Sequence, residues 1–567
     1  MRPLPLGIDN FEEIISHNYH YVDKSLFIKE ILDYRSKVTL IPRPRRFGKT
    51  LNLSMLKYFF EKTAKSHASL FDALDIANHP ECMKHQGQYP VIFLTFKFIE
   101  GETWEISFEK MKRLIANEFW RHKYLLKASC LGKHQKKEFQ QIIELTASDT
   151  AYEVSLRDLT SYLAQYYNTN PIVLLDEYDV PMQNGFKNNY YNKAAQFIRG
   201  FIGDGLKGND FLNFAVITGC MRVTKESIFT GLNNPRVCTL LDDAYSDKFG
   251  LLEREVKVLL KECEAATCQQ VCMEEIRAWY NGFSSGPHTI YNPWSIISFI
   301  DKKCKFDSYW INTSSNDIIK NLIKNSNEDV KEEISQLLQG KTIDKQVDEN
   351  IVFADLGKKE PALWNFLLFS GYLSFKNLRL VGTHRHADLF IPNKEIISIY
   401  ESTILGWFSS TEIRYNAMLE HLVNGDISKF TELFEEFVIT SFGFFDLADR
   451  KAENQEPENF YHAFVLGILA TLAGTHFITS NREAGLGRYD VMIVPKDTTK
   501  PALIIEFKKV SPNKHETLEI AAASALQQIA DKRYAVELRH KGYMRIIPLA
   551  IVFEGKKVLV REQTASI

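Results

Sequence analysis

Val38-Thr39-Leu40-Ile41-Pro42-Arg43-Pro44-Arg45-Arg46-Phe47-Gly48-Lys49-Thr50 is the stretch that decides the fold. An apolar, strand-forming run stops at a proline, a basic turn follows, and Gly48-Lys49-Thr50 opens the amphipathic segment Leu51 to Phe60. This is the strand, loop and helix order of a P-loop. In such a loop the residues Arg46, Phe47, Gly48, Lys49, Thr50 and Leu51 surround the phosphates. Backbone N–H groups close on phosphate oxygens, Lys49 adds a cation at the β/γ position, and Thr50 takes one corner of a Mg²⁺ shell. The first glycine of the usual G-x-x-x-x-G-K-[ST] pattern falls on Arg43, so this motif alone is incomplete.

A second signal lies downstream at Pro171-Ile172-Val173-Leu174-Leu175-Asp176-Glu177-Tyr178-Asp179. Four consecutive aliphatics read as a strand buried on both faces, which delivers its last residues to the ligand-binding edge of a parallel sheet. Asp176 is then the second holder of Mg²⁺ and Glu177 the group that polarises the attacking water. The bland alternative is a buried strand ending in a solvated acidic turn. The two motifs in this order favour ATP with Mg²⁺.

Working outward, Val91 to Phe96 and Leu212 to Gly219 read as further buried strands. Helical patterns run from about Trp104 to Leu126, Leu156 to Tyr167 and Lys193 to Ile202. Strands alternating with helices predict a parallel sheet covered on both faces. Thr218, at the tip of its strand, is a candidate for the γ-phosphate or lytic water. Arg222 is a candidate for the same phosphate, within the chain or from a neighbouring copy, which leaves a homo-oligomer open. A turn-capping hydroxyl and a surface arginine are the plain alternatives. Tyr21 and Asp23 are candidates for the adenine side, although Asp23 or Ser25 as a cap of the helix Leu26 to Leu32 is the preferred reading. The loop Ser227 to Asn234 is placed over the site.

From Gly250 to Ile323 the pattern predicts a small helical lid, with Asn292-Pro293 starting a helix at Trp294. Ser326 to Asn350 reads as a charged linker. Ala362 to Ile396 reads as a helix followed by two short strands, Tyr372 to Phe375 and Asp388 to Ile391, which suggests a winged-helix module. His384 and His386 fall between those strands, a solvated hairpin tip rather than a metal site.

In the carboxyl-terminal third, Gly487 to Pro495 and Ala502 to Lys508 form a predicted hairpin carrying Asp490, Glu506 and Lys508. Alternation puts Glu506 and Lys508 on one strand face and Phe507 on the other. Asp490 and Glu506 can then share a divalent ion while Lys508 steadies the nucleophilic water or the phosphate. The following helix, Ala522 to Arg533, brings Gln528 toward a nucleic-acid backbone or the sheet edge, with Tyr534 beyond it. A surface charge trio is the alternative.

The chain has 567 residues, 45% of them hydrophobic and 25% charged, with a net charge of −2. Length predicts three or more domains, and near-neutral charge removes any global basic field without excluding a local patch. No apolar run approaches membrane-spanning length and the amino terminus lacks a signal-peptide core, so no membrane partner and a cytoplasmic location are expected. The eight cysteines include a cluster at Cys263, Cys268 and Cys272 that has neither CxxC spacing nor a nearby histidine, which argues against zinc.

With these residues in place the chain resembles the family of predicted AAA-like ATPases that carry a C-terminal PD-(D/E)xK nuclease-like domain. The resemblance covers nearly the full length. It rests on Tyr21-Val22-Asp23-Lys24, the basic P-loop, Leu175 to Asp179, Ile217-Thr218-Gly219, Tyr291-Asn292-Pro293-Trp294-Ser295, Gly371-Tyr372-Leu373, Ile391-Pro392-Asn393-Lys394-Glu395 and the Asp490, Glu506, Lys508 set. In that family a P-loop lacking the first glycine is the usual form, so Arg43 becomes an expected feature. The resemblance implies an α/β chain: a P-loop AAA-like ATPase core over 1–245, a helical lid over 246–325, a winged-helix-like and linker region over 326–440, and a nuclease-like α/β domain over 441–567. It implies ATP binding and hydrolysis, and a Mg²⁺-dependent nuclease fold whose partner is nucleic acid, DNA first, held by the C-terminal and middle domains. The alternative is a nucleotide-dependent switch or binding module whose terminal domain grips without cutting. One departure stands out: nucleases of this fold often add a glutamate on the helix before the first strand. Here that place offers His462, with Glu458 just outside, which implies weaker metal binding or a different geometry.

Overall fold

In the computed structural model the central element is a five-stranded parallel sheet of order β2-β3-β4-β1-β5. Its strands are β1 (Val38–Pro42), β2 (Val91–Thr95), β3 (Ile172–Asp176), β4 (Ala215–Gly219) and β5 (Arg236–Val237). All five residues of β1, β3 and β4 are buried, which explains their unbroken apolar runs: with helices on both faces no position alternates toward water. The structure describes residues 2–222, 235–267, 272–310, 317–350, 355–356, 359–405, 412–445, 465, 467–468, 471–472, 474–484, 487–510, 517–532, 535–554 and 557–563.

The chain forms two compact units, Met1–Ile318 with Asp344–Ile396, and Ile319–Ile343 with Ile397–Ile567. In the first unit the helix Lys49–Phe60 follows β1 directly, with Gly48 at its start in the left-handed region (φ 85°) and nothing within 4 Å of the Cβ it lacks. The helix buries Leu53, Met55, Leu56, Phe59 and Phe60 against the sheet. Two helices are longer than their periodicity indicates. Ser148 caps one that spans Asp149–Tyr167, and the other spans Tyr191–Leu206. The helices Lys133–Ile143 and Val180–Lys187 carry no pattern that the sequence reading used.

The segment from Gly250 to Ile323, expected to be a small helical lid, is not all-helical. Its helices Glu253–Thr267, Met273–Tyr280 and Pro293–Asp301 enclose a three-stranded sheet of order β6-β8-β7, formed by β6 (Leu251–Leu252), β7 (Phe283–Ser285) and β8 (His288–Tyr291). Strands of two to four residues are too short for alternation to register. Beyond the lid, the helix Glu360–Phe369 precedes a hairpin of β10 (Ser374–Val381) and β11 (His384–Phe390), and β9 (Ile343–Gln346) completes a sheet of order β10-β11-β9. Both hairpin strands are longer than the expected pair, so His384 and His386 lie within β11. Asp344–Ile396, which holds this helix and hairpin, belongs to the first unit.

The second unit contains a five-stranded sheet in sequence order, from β12 (His476–Ala484) through β13 (Gly487–Pro495), β14 (Ala502–Lys509) and β15 (Ile546–Glu554) to β16 (Lys557–Glu562). β12, β13 and β14 are antiparallel neighbours, β14 and β15 are parallel, and β16 returns antiparallel. A parallel pair needs a crossover, and here the helix Leu518–Asp531 lies within it. Its Ala521, Ala522, Ala525 and Ile529 pack with Ile504, Ala550 and Val552. Small residues on that face let the helix approach β14 closely.

Candidate active sites

In the first unit β1, β3 and β4 end at one edge, where Pro42, Asp176 and Gly219 sit side by side. Thr50 at the helix start donates to Asp176 Oδ2 at 2.8 Å, Thr95 at the end of β2 donates to the same oxygen at 3.1 Å, and Thr218 donates to Oδ1 at 2.8 Å. Asp176 is fully buried, and burial followed by the neighbouring Glu177 charge raises its carboxyl above the usual range. Lys49 is also buried. Its ammonium donates to the carbonyls of Arg43 and Pro44 at 3.1 and 3.0 Å and pairs with Glu177 Oε1 at 3.2 Å. Burial alone would lower that ammonium, but Cys220, Glu177, Asp176 and Asp179 together hold it above its ordinary value. Burial pushes the Cys220 thiol up to about 12, so near neutrality the carboxylates supply the balancing charge. Glu177 adopts φ 52°, a left-handed conformation that costs a non-glycine residue about 1–2 kcal/mol and aims its carboxylate back at Lys49.

Asp179, for which no role is expected, holds the segment that follows β4. It is buried and accepts from the backbone N–H of Cys220 and Met221, each at 3.0 Å, and from Gln183 Nε2 at 2.8 Å. Burial first, then Glu177, raises its carboxyl to about 6. A buried acid one turn past a β-strand, in the same D-E-x-D run as Asp176, was the available signal.

Lys49, Thr50 and Glu177 open onto a cavity of about 830 Å³ whose lining also includes Arg45, Arg46 and Trp294. Its six basic side chains outnumber three acidic ones, which suits a polyanion. The volume falls within the range of small-molecule sites. Arg46 stacks on Trp294 with its guanidinium 4.6 Å from the ring centre, and Arg45 donates to Gln183 at 2.9 Å. The hard oxygens of Thr50 and Asp176, 2.8 Å apart, are a donor pair that fits Mg²⁺ beside a phosphate.

Several candidates lie elsewhere. Phe47 turns its ring into the apolar contact with Phe283, 5.1 Å between centres, so only its backbone faces the loop. Arg43 is fully buried on the β5 side, donating to the carbonyls of Pro42 and Cys238 at 2.8 and 2.7 Å. It stands where the first glycine is missing without entering the cavity. Thr218 reaches Asp176 and does not line the cavity. Arg222 donates to Glu349 at 3.4 Å and is also absent from the lining. Tyr21 bonds Met55 Sδ and Asp23 accepts from the N–H of Ser25 and of Asp75 at 2.7 Å each, while Ser25 Oγ accepts from the N–H of Ile76 at 3.1 Å. The helix Leu26–Tyr34 carries no side-chain cap, so the expected cap does not form. The loop Ser227 to Asn234 lies outside the described residues.

In the second unit, Asp490 on β13 accepts the Phe507 N–H at 2.8 Å, which brings it against the middle of β14. Glu506 and Lys508 share one face of β14 and both meet the helix Leu518–Asp531: Gln528 donates to Glu506 Oε1 and Lys508 donates to Ser524 at 2.8 Å. Ser524 and Gln528 are one helical turn apart, matching the two-residue spacing on the strand. Ser524 was missed because an isolated serine has no motif. Phe507 points the other way and stacks on Phe553 at 6.3 Å. Glu506 is 4% exposed and its Oε2 has no hydrogen-bond partner among the described residues. Burial, reinforced by Asp490, pushes it up to about 8. A buried, half-satisfied carboxylate facing a second one fits a divalent cation. No group of three or more possible metal ligands occurs among the described residues. His462, Glu458 and Tyr534 lie outside them, as does Cys268. Cys272 is exposed with its Sγ 3.1 Å from Glu274, and His386 pairs with Asp344 at 3.2 Å. No described helix is long and apolar enough to cross a membrane.

Residues 5–229 match the family model described as predicted AAA-ATPase, and residues 456–563 match that of the PD-(D/E)XK nuclease superfamily. The chain is 23% identical over 565 residues to an uncharacterized protein in the vnfD 5′ region of Azotobacter chroococcum mcd 1, covering 95% of this chain and 94% of that protein. No solved structure matches at a significant level.

Proposed function

We propose that this chain, which pairs a predicted AAA-ATPase domain with a PD-(D/E)XK nuclease superfamily domain, binds and hydrolyses ATP in its first unit and cleaves DNA with its second. The observation that carries the reading is that Lys49, Thr50 and Glu177 line a basic cavity of about 830 Å³, with Asp176 bonded to Thr50 behind it at 2.8 Å. Lys49 holds the β/γ-phosphates and, in turning to them, releases Glu177 to orient and polarise the attacking water. Mg²⁺, held by Thr50 and Asp176, supplies charge neutralisation at those phosphates. Trp294, Pro293 and Ile297 offer an apolar wall to the base. In the second unit Asp490 and Glu506 hold a divalent cation that supplies an activated water, and Lys508 orients the scissile phosphate. Gln528 and Ser524 fix the rotamers of Glu506 and Lys508.

Lys49→Ala is expected to abolish ATP turnover, and retained turnover refutes the assignment. Asp490→Ala or Lys508→Ala is expected to remove Mg²⁺-dependent cleavage of DNA. One observation favours a second reading, a nucleotide-driven module that grips without cutting. With Glu506 pushed up to about 8, its carboxyl keeps a proton at pH 7 unless a cation displaces it. Incubating the chain with DNA, Mg²⁺ or Mn²⁺, and ATP separates the two, since cutting yields products and gripping yields only a shifted band.

A further inference from the structure

Glu395 is completely buried, far from any expected role, and each of its carboxylate oxygens holds a different approach to the P-loop. Oε1 accepts the backbone N–H of Trp310 at 2.7 Å, and Oε2 accepts the hydroxyl of Ser295 at 2.8 Å. Trp310 in turn donates its indole N–H to the Arg45 carbonyl at 3.1 Å, gripping the loop by its backbone. Ser295 is the neighbour of Trp294, whose ring carries the Arg46 guanidinium. Thus Arg45 through its carbonyl and Arg46 through its side chain both trace back to one carboxylate.

The surroundings of Glu395 make it sensitive to protons. Burial pushes it up to about 7, against hydrogen bonds from Trp310, Ser295 and the Tyr309 backbone, and Asp307 raises it further. Tyr280 and Tyr309 are the other titratable groups beside it, and both are themselves raised by burial. They stay neutral in this range. As a carboxylate Glu395 accepts both the Trp310 and Ser295 bonds. When protonated, Glu395 donates to the Ser295 hydroxyl, which turns to accept, so both contacts become neutral hydrogen bonds and weaken.

We propose that Glu395 is a positioning residue for the nucleotide site, clamping the P-loop through Trp310 and Ser295 while ionised and loosening it when protonated. This regulates the same site as the ATP reading and rests on it. Unlike a buried glutamate that only packs, a clamp of this kind ties nucleotide affinity to pH. The carboxyl is ionised above its raised value, so tight binding belongs to the alkaline side.

The test titrates the full chain with a fluorescent ATP analogue and Mg²⁺ at pH 6 and pH 8, for wild type, Glu395→Gln and Trp310→Phe. Wild-type Kd is expected to weaken about fivefold to tenfold from pH 8 to pH 6, the difference between a charge-assisted and a neutral hydrogen bond. Glu395→Gln should show the weak value at both pH values, apart from the smaller slope that Asp179 contributes to every variant. Trp310→Phe, which keeps an aromatic side chain but loses the indole N–H and part of the ring volume, should be weakened at pH 8 with Glu395 intact. If Glu395→Gln keeps the wild-type Kd at pH 8, or its full pH slope, the proposal is overturned while nucleotide binding stands. If wild type does not bind the analogue at either pH, the ATP reading falls and the clamp falls with it.

Discussion

Gly219→Ala probes the architecture of the candidate phosphate site without touching a group assigned to chemistry. A Cβ at Gly219 would lie 2.5 Å from Asp179 Oδ1 and 2.8 Å from two carbons of the Tyr178 ring. Neither neighbour can retreat. Asp179 is buried and holds three N–H donors, and Tyr178 is buried with its hydroxyl donating to the Met221 carbonyl at 2.8 Å. Overpacking of this kind costs about 1–3 kcal/mol, and disturbing a hydrogen bond to the Asp179 carboxylate adds about 1.5–3 kcal/mol. The expected loss is therefore roughly 2.5–6 kcal/mol for the first unit, read as the fall in its thermal or urea transition. ATP turnover should drop at least about tenfold, because the displaced segment carries Cys220, whose Sγ lies 3.7 Å from both Lys49 and Glu177. Gly203→Ala is the control: it lies inside the helix Tyr191–Leu206 with nothing within 4 Å of the added methyl, so it should be neutral or stabilising by up to about 1 kcal/mol. A Gly219→Ala protein as stable and as active as Gly203→Ala would refute the packing argument.

Two further outcomes follow from the geometry. Glu506 is raised from its ordinary value to about 8, so its contribution to stability is fully present below the unfolded value and is lost as pH rises through about 8, at roughly 1.4 kcal/mol per unit of displacement. Glu506→Gln should flatten that decline in the second unit's unfolding transition, and Mn²⁺ affinity of the wild type should rise about tenfold per pH unit below 8, because the ion displaces one proton. Trp294→Ala removes the face on which Arg46 rests at 4.6 Å, an interaction of about 0.5–2 kcal/mol. It should weaken ATP binding in a calorimetric titration several-fold while leaving kcat nearly unchanged.

The candidate nucleotide site was legible because its geometry is local. A P-loop needs consecutive residues, and a parallel core strand needs an unbroken apolar run, so Lys49, Thr50 and Asp176 could be placed from linear spacing. Alternation likewise put Glu506 and Lys508 on one face of β14 and Phe507 on the other, as the structure has them. What could not be read depends on contacts distant in sequence. Thr95 joins Asp176 only through the pairing of β2 with β3, 81 residues apart. Asp179 matters because burial turns it toward Cys220 and Met221, and burial of a single acid is invisible to periodicity. Arg222 was given to the phosphate by its position after β4, whereas a glutamate 127 residues away takes it. The lid sheet and the extension of β10 and β11 were missed because their exposed or very short strands lack a strong hydrophobic period. His384 and His386 were assigned to the turn for the same reason.

The central claim is that this chain builds two separate places for a divalent ion, one completed by ATP phosphates and one by carboxylates alone. Electron spin resonance of free Mn²⁺, titrated with protein in the presence and absence of ATP, counts both directly. The account predicts one site that appears only with ATP and is lost in Thr50→Ala and Asp176→Ala, and one that needs no ATP and is lost in Asp490→Ala. ATP-dependent Mn²⁺ binding that survives both Thr50→Ala and Asp176→Ala, or ATP-independent binding that survives Asp490→Ala, would contradict it.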